Sequence, residues 1–396
     1  MTINSTVVEK NVAGGGKNWD ALDVEGANRH DIRQAGHLNP FAIGGDFDTQ
    51  TITFPYTPTS PDIGKVNVQL NVRDAVKTKT VSDKFDVRRP DSRQTRHRVV
   101  APPLGVRETM RAKIRGTELY FDVHGMGLVA EGDRMVERPV LFLLHGGPGG
   151  DHSGFKPSLS ALSEVAQLVF VDHRGSGRSR SDDRTTHTLD NNIQDVAALA
   201  DYLGVERYAL LGSSYGGMVA QGVAIRYPRR VSNLVLCATA PSFRFITDAH
   251  RWIEERGTTK QKRVCHWLWE GNFQSNEQLY EYYEVMGPLY SRSFDRETFE
   301  ESWSRGTRTF EQINLGFDGF LREFDFTDEL HKIACPTLVL AGAHDWICQP
   351  HHSELIAERV PRAQLKIFTD SAHAIASDEP EAFLDVTRRF LTCPPR

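Results

Sequence analysis

The apolar run Tyr208-Ala209-Leu210-Leu211 ends in Gly212-Ser213-Ser214-Tyr215-Gly216, and apolar residues at helical spacing resume at once from Gly217 to Tyr227. A buried strand that turns sharply into a helix belongs to a layered α/β architecture, because a parallel neighbour is reached only through a crossover of that kind. The pattern recurs along the chain. Val140 to Leu144, Leu168 to Val171, Leu234 to Cys237 and Leu338 to Leu340 are short runs without polar alternation, as expected of strands covered on both faces. Asn191 to Leu203 has the apolar spacing of a helix, and Arg111 to Val123 predicts an antiparallel leading hairpin. The expected fold class is α/β, with a mostly parallel, doubly wound sheet.

The same pentapeptide carries the chemistry. A turn this tight brings backbone close to its central residue, so the flanking positions need glycine, and Gly212 and Gly216 supply it around Ser214. Ser213 stands one place too early. Ser214 is the candidate nucleophile, and the N–H of Tyr215, at the start of the following helix, favours a developing negative charge. A second donor is expected from the loop after an earlier strand, where Leu144 leads into His145-Gly146-Gly147-Pro148-Gly149. Gly147 lets backbone approach a substrate oxygen, and Pro148 stiffens the loop. His145, at the strand end, reads as structural.

Further along, Pro336 to Ala343 is a strand and a small-residue turn that delivers His344 and then Asp345, while Leu365 to Phe368 leads through Ala372 to His373. With His373 as base and Asp345 as the residue that orients it, the order serine, aspartate, histidine matches one known arrangement of this triad. A metal site built from His344, His351, His352 and Asp345 is the competing reading, but these residues lie on a turn and an expected helix start without i, i+4 spacing. No metal and no cofactor are expected.

Charge narrows the partner. Lys and Arg total 47 against 52 Asp and Glu, a formal net charge of −5, which supplies no basic field for nucleic acid or an anionic membrane. A small molecule is the expected substrate. Cys237, Cys265, Cys335, Cys348 and Cys393 are scattered and lack CxxC spacing, so they read as reduced thiols. Neither the N-terminus nor any later segment has the apolar run of a leader or a membrane span, and the cytoplasm is the expected compartment.

Residues 1–103 differ in texture: polar, with Gly14-Gly15-Gly16 near the start and a basic stretch from Arg88 to Arg98 before Pro102-Pro103. They are expected to form an N-terminal extension in which Thr51 to Phe54 and Lys65 to Val72, alternating with period two, pair as a β-hairpin. Such a hairpin is marginal alone, so it is expected to dock, on a second subunit in preference to its own body, giving a homodimer. Residues 104–243 and 329–396 then form the two parts of the core. Residues 244–328, rich in Trp and Tyr, interrupt the alternation as an inserted helical cap.

Taken together, His145 to Gly149, Asp172-His173-Arg174-Gly175-Ser176-Gly177-Arg178-Ser179 and Gly212 to Gly217 resemble the prolyl aminopeptidase-like branch of the α/β hydrolases, over about residues 104–396. The resemblance implies the α/β-hydrolase fold with a helical cap over the site. It also implies acidic side chains that hold a substrate's free ammonium, one directly after the triad aspartate and one before the last stretch of the cap. Here Trp346 and Asn314 occupy those places. They are therefore the candidate pocket residues, with Glu254, Glu255, Glu270, Glu281 and Glu284 as the cap carboxylates able to compensate. A pocket without such a counter-charge should take a neutral ester, lactone or amide, since a buried lone ammonium costs several kcal/mol. The alternatives are a prolyl-type aminopeptidase, and a non-catalytic ligand-binding protein of the same fold.

Overall fold

The computed structural model describes residues 2–8, 18–25, 49–55, 65–73, 78–86 and 110–392. The chain divides into two compact units, Met1–Glu108 and Thr109–Arg396.

In the first unit, β1 (Thr2–Val8), β2 (Asn18–Glu25), β3 (Thr49–Pro55), β4 (Lys65–Arg73) and β5 (Thr78–Asp86) form two small sheets. The expected strands are present, but their expected pairing is not. β3 pairs antiparallel with β1, whereas β4 lies between β2 and β5. Connection length gives the reason. Nine residues with two prolines, Tyr56 to Gly64, separate β3 from β4, whereas four, Asp74 to Lys77, separate β4 from β5. Closing the shorter loop costs less entropy, and its hairpin wins. The triplet Gly14 to Gly16 and the basic stretch Arg88 to Arg98 lie outside the described residues.

The second unit is built on an eight-stranded sheet. Its strands are β6 (Arg111–Ile114), β7 (Thr117–His124), β10 (Val140–Leu144), β11 (Gln167–Val171), β12 (Tyr208–Ser213), β13 (Val231–Cys237), β14 (Thr337–Gly342) and β15 (Ala363–Phe368), in the order β15-β14-β13-β12-β10-β11-β7-β6. Every pairing from β15 to β11 is parallel, and β7 and β6 continue it antiparallel, the leading hairpin expected from the sequence. An outlying hairpin, β8 (Leu128–Glu131) with β9 (Arg134–Glu137), was not anticipated, although its two-residue turn Gly132-Asp133 is a recognised hairpin signal.

Helices cover both faces. Thr188 caps α1 (Leu189–Tyr202) by accepting from the Asn191 N–H, and Gly204, with φ +69, follows the helix end. α2 (Tyr215–Arg226) is buried from Tyr215 through Ile225 and crosses α1 closely, for a Cβ on Gly222 would stand 2.1 Å from Ile193 Cδ1.

Between β13 and β14 the chain inserts α3 (Arg244–Arg256), α4 (Thr259–Trp269), α5 (Asn276–Tyr290), α6 (Arg296–Arg305) and α7 (Phe310–Phe317). α3 buries Phe245, Ala249 and Ile253, a stripe four residues apart, and keeps charged residues outward. The chain then returns to the sheet, where α8 (Pro350–Arg359) follows β14 and α9 (Pro380–Thr392) closes the described residues. Among the described residues no helix is long and apolar enough to cross a membrane.

Candidate active site

Ser214 sits between β12 and α2 with φ 54 and ψ −120, a conformation that L-residues rarely adopt. Close packing enforces it. A Cβ on Gly212 would lie 2.2 Å from Gly216 O, and one on Gly216 would lie 1.9 Å from Leu144 O, so neither position admits a side chain. The Ser214 N–H donates to Cys237 O at 2.9 Å, and its carbonyl accepts from Thr239 Oγ1 at 2.7 Å, which fixes the turn from β13.

The base and its partner arrive on neighbouring loops. His373 Nδ1 lies 2.7 Å from Asp345 Oδ2, while Asp345 Oδ1 accepts the N–H groups of Ile347 and Cys348, both at 3.0 Å. The carboxylate is fully buried, whereas the imidazole is 13% exposed. With its proton on Nδ1 and shared with Asp345, His373 keeps Nε2 as the acceptor nitrogen. The two loops touch through backbone, since a Cβ on Gly342 would stand 1.9 Å from Ala372 O.

The glycine-rich loop lies against the nucleophile. A Cβ on Gly146 would be 3.1 Å from Ser214 Cβ and 3.8 Å from its Oγ. Gly147 has φ 125, open only to glycine in practice. Tyr215 is the first residue of α2, where a helix leaves its N–H groups without intrahelical partners. Its ring is held by Asn192 Nδ2, which donates to the phenol oxygen at 2.7 Å.

Residues the sequence reading left without a role buttress this loop. Asp172, fully buried, accepts from the His152 N–H at 2.9 Å, lies 2.6 Å from His152 Nδ1, and accepts from the Arg178 N–H at 2.8 Å. Burial alone would raise its pKa, but the hydrogen bond from His152 and the nearby imidazoles outweigh that and hold it at about 2. Ser176 Oγ accepts the Gly149 N–H at 3.2 Å. His145 is structural, as expected: its Nε2 accepts the His173 N–H at 3.2 Å, and His173 Nε2 stands 3.1 Å from His145 O. Burial lowers the pKa of both, keeping them neutral.

The inserted helices reach the same place. Thr309 N–H donates to Gly149 O, and Ala374 N–H to Tyr290 O, both at 2.8 Å. Asp378 was also missed. Its Oδ1 accepts from Ser291 Oγ at 2.6 Å and from the Ser293 N–H at 3.0 Å, while Oδ2 accepts the Ala372 N–H at 2.9 Å. One carboxylate thus joins the His373 loop to the end of α5.

The two candidate pocket residues are otherwise engaged. Asn314 accepts the Phe273 N–H at 2.9 Å and donates to Phe273 O at 2.8 Å, so its amide clamps main chain. Trp346 is fully buried, with its ring 6.1 Å from Trp269, 6.2 Å from Trp252 and 5.5 Å from Tyr290, whose own ring lies 5.5 Å from His373. It backs the aromatic side chain that faces the base. The cap carboxylates turn outward: Glu254, Glu255 and Glu270 are exposed, Glu281 pairs with Arg263, and Glu284 pairs with Arg296 at 2.8 Å. His344 is exposed, and His351 and His352 converge on Asp248 rather than Asp345.

A family model described as alpha/beta hydrolase fold matches residues 139–380. The chain is 31% identical over 279 residues to proline iminopeptidase PfmaB of Pestalotiopsis fici, covering 69% of this chain and 98% of that protein. It is 28% identical to a proline iminopeptidase of Saccharolobus solfataricus, covering 63% of this chain and 84% of that one. The crystal structure of a proline iminopeptidase from Mycobacterium smegmatis superposes with a TM-score of 0.57 over 71% of this chain and 96% of that one; at 22% identity this likeness shows the fold.

Proposed function

The chain belongs to the α/β-hydrolase fold family, in its proline iminopeptidase-like branch, and is a serine hydrolase; from that premise we propose that it cleaves an ester, lactone or amide of a small uncharged substrate through an acyl-enzyme on Ser214. Ser214 Oγ bonds to the substrate carbonyl carbon as its proton passes to His373 Nε2. The N–H groups of Gly147 and Tyr215 stabilise the resulting oxyanion. His373 then protonates the leaving group, whose bond to the carbonyl breaks, and water repeats the sequence on the acyl-enzyme to release acid and free serine. Asp345 holds the imidazole tautomer throughout.

The observation that carries the substrate class is the aromatic packing of Trp346 behind Tyr290, at the place where the resembling aminopeptidases carry an acid. The outward-facing cap glutamates and the engaged Asn314 point the same way. An ammonium bound there without a counter-charge would lose several kcal/mol of solvation. The likeness to proline iminopeptidases favours a second reading, release of an N-terminal residue. Comparing kcat/KM for proline p-nitroanilide, its N-acetyl form and short-chain p-nitrophenyl esters separates the two. Preference for the blocked and ester substrates is expected, and a preference of roughly tenfold or more for free proline, about 1.4 kcal/mol, would overturn the neutral-pocket reading. The buried free thiols Cys237, Cys265, Cys335 and Cys348 support a cytoplasmic setting.

A further inference from the structure

Away from the triad, Asp248 on α3 and the adjacent residues His351 and His352 on α8 bring three ligand atoms within 4.8 Å of one another. Asp248 Oδ2 lies 3.1 Å from His351 Nε2 and 3.3 Å from His352 Nε2. The two imidazole centroids are 4.0 Å apart, with planes inclined by 41°. We propose that these three side chains form a zinc-class divalent metal site that clips α3 to α8.

Two observations support it. First, the two separations from Asp248 Oδ2 match a coordination shell: with Zn–N and Zn–O bonds of about 2.0–2.2 Å, neighbouring corners of a tetrahedron lie about 3.3 Å apart. Second, His352 is 4% exposed, yet its Nε2 has no hydrogen-bond partner among the described residues. It faces the carboxylate at contact distance without the alignment of a donor. A buried polar atom in that state calls for a partner, and a metal supplies one. His351 is half exposed, so solvent can fill the remaining position.

Two features oppose a cation. The imidazoles sit in the first turn of α8, the positive end of its dipole, and Arg251 Nη1 lies 3.5 Å from Asp248 Oδ1. Neither is decisive: Arg251 is exposed, and it engages the other oxygen of the carboxylate. Asp248 Oδ2 stays directed at the imidazoles and brings the negative charge the site needs.

The site's position gives binding a consequence. α3 belongs to the helices inserted between β13 and β14, whereas α8 follows the loop that carries Asp345. A bound ion would tie the inserted helices to that loop and stabilise the folded chain by mass action.

The test uses full-length protein without a polyhistidine tag. Zn²⁺ titration by calorimetry, Co²⁺ absorption and the Zn²⁺ dependence of Tm are measured for wild type, H351A and D248N. One ion per chain is expected, with visible Co²⁺ bands of low-symmetry four-coordination and a Tm that rises with Zn²⁺. Each variant should bind on the order of 100-fold more weakly, lose the bands, and keep its metal-free Tm within a few degrees. Wild-type binding that both variants retain would overturn the proposal, as would a wild type that binds no ion.

Discussion

Ser214 occupies a strained backbone position, and in the proposed mechanism that strain presents its hydroxyl, and not that of Ser213, to His373. Ser214→Ala should therefore abolish turnover, by a factor on the order of 10⁶, with the circular dichroism spectrum unchanged. Ser213, the last residue of β12, should tolerate alanine with activity within about tenfold. If both variants lose activity equally, the nucleophile has been misassigned. Asn314→Ala gives a different signature. It strips both partners from the Phe273 peptide groups, so about 1–3 kcal/mol of stability should go while kcat/KM for neutral esters changes little. A change confined to KM would place Asn314 in the pocket. These cases show what single residues reveal. Ser214, Asp345 and His373 were legible because each closes a strand in a set order, whereas the partner of Asn314 lies 41 positions away and emerges only on packing.

Among the elements, the apolar runs located the strands of the main sheet to within a few residues, because strands buried on both faces must be continuously apolar. The pairing of β3 and β4 was not legible, since alternation marks a strand but does not name its neighbour. Nor was the buried network under the glycine-rich loop, where Asp172, His145 and His173 come from two strand ends. That network makes stability depend on pH. His145 and His173 have folded-state pKa values below the ordinary value of about 6.5, so the unfolded chain binds more protons once the pH falls below it. Stability is full above that value and should decline on acidification, by up to about 1.4 kcal/mol per pH unit for each histidine. Asp172 adds a second loss, as its stabilisation is present above its ordinary value and disappears as the pH falls through about 2. Urea midpoints measured from pH 8 to 5 check the histidine part. A midpoint flat across that interval would mean that both rings titrate as in the unfolded chain.

At the scale of the molecule, the hydrolase machinery lies entirely in the unit Thr109–Arg396, and the family model spans 139–380 within it. The match to PfmaB covers 98% of that protein with 69% of this chain, so a full relative corresponds to the second unit in extent. Deleting residues 1–108 should accordingly leave a folded hydrolase with kcat/KM within about tenfold of the full chain, measured on the best ester substrate. The first unit needs its own account. Its two- and three-stranded sheets have outer strands, and an outer strand's unpaired N–H and C=O groups are a template for another strand. A second copy of the chain offers one with matching geometry, and pairing across a two-fold axis would satisfy both copies at once. The full chain should then sediment at twice its mass of 44.5 kDa and the truncated one as a monomer. A monomeric full chain would exclude the strand-paired dimer. A truncated chain that remains dimeric would move the interface to the hydrolase unit, and loss of turnover from a folded truncated monomer would make the extension part of the working enzyme.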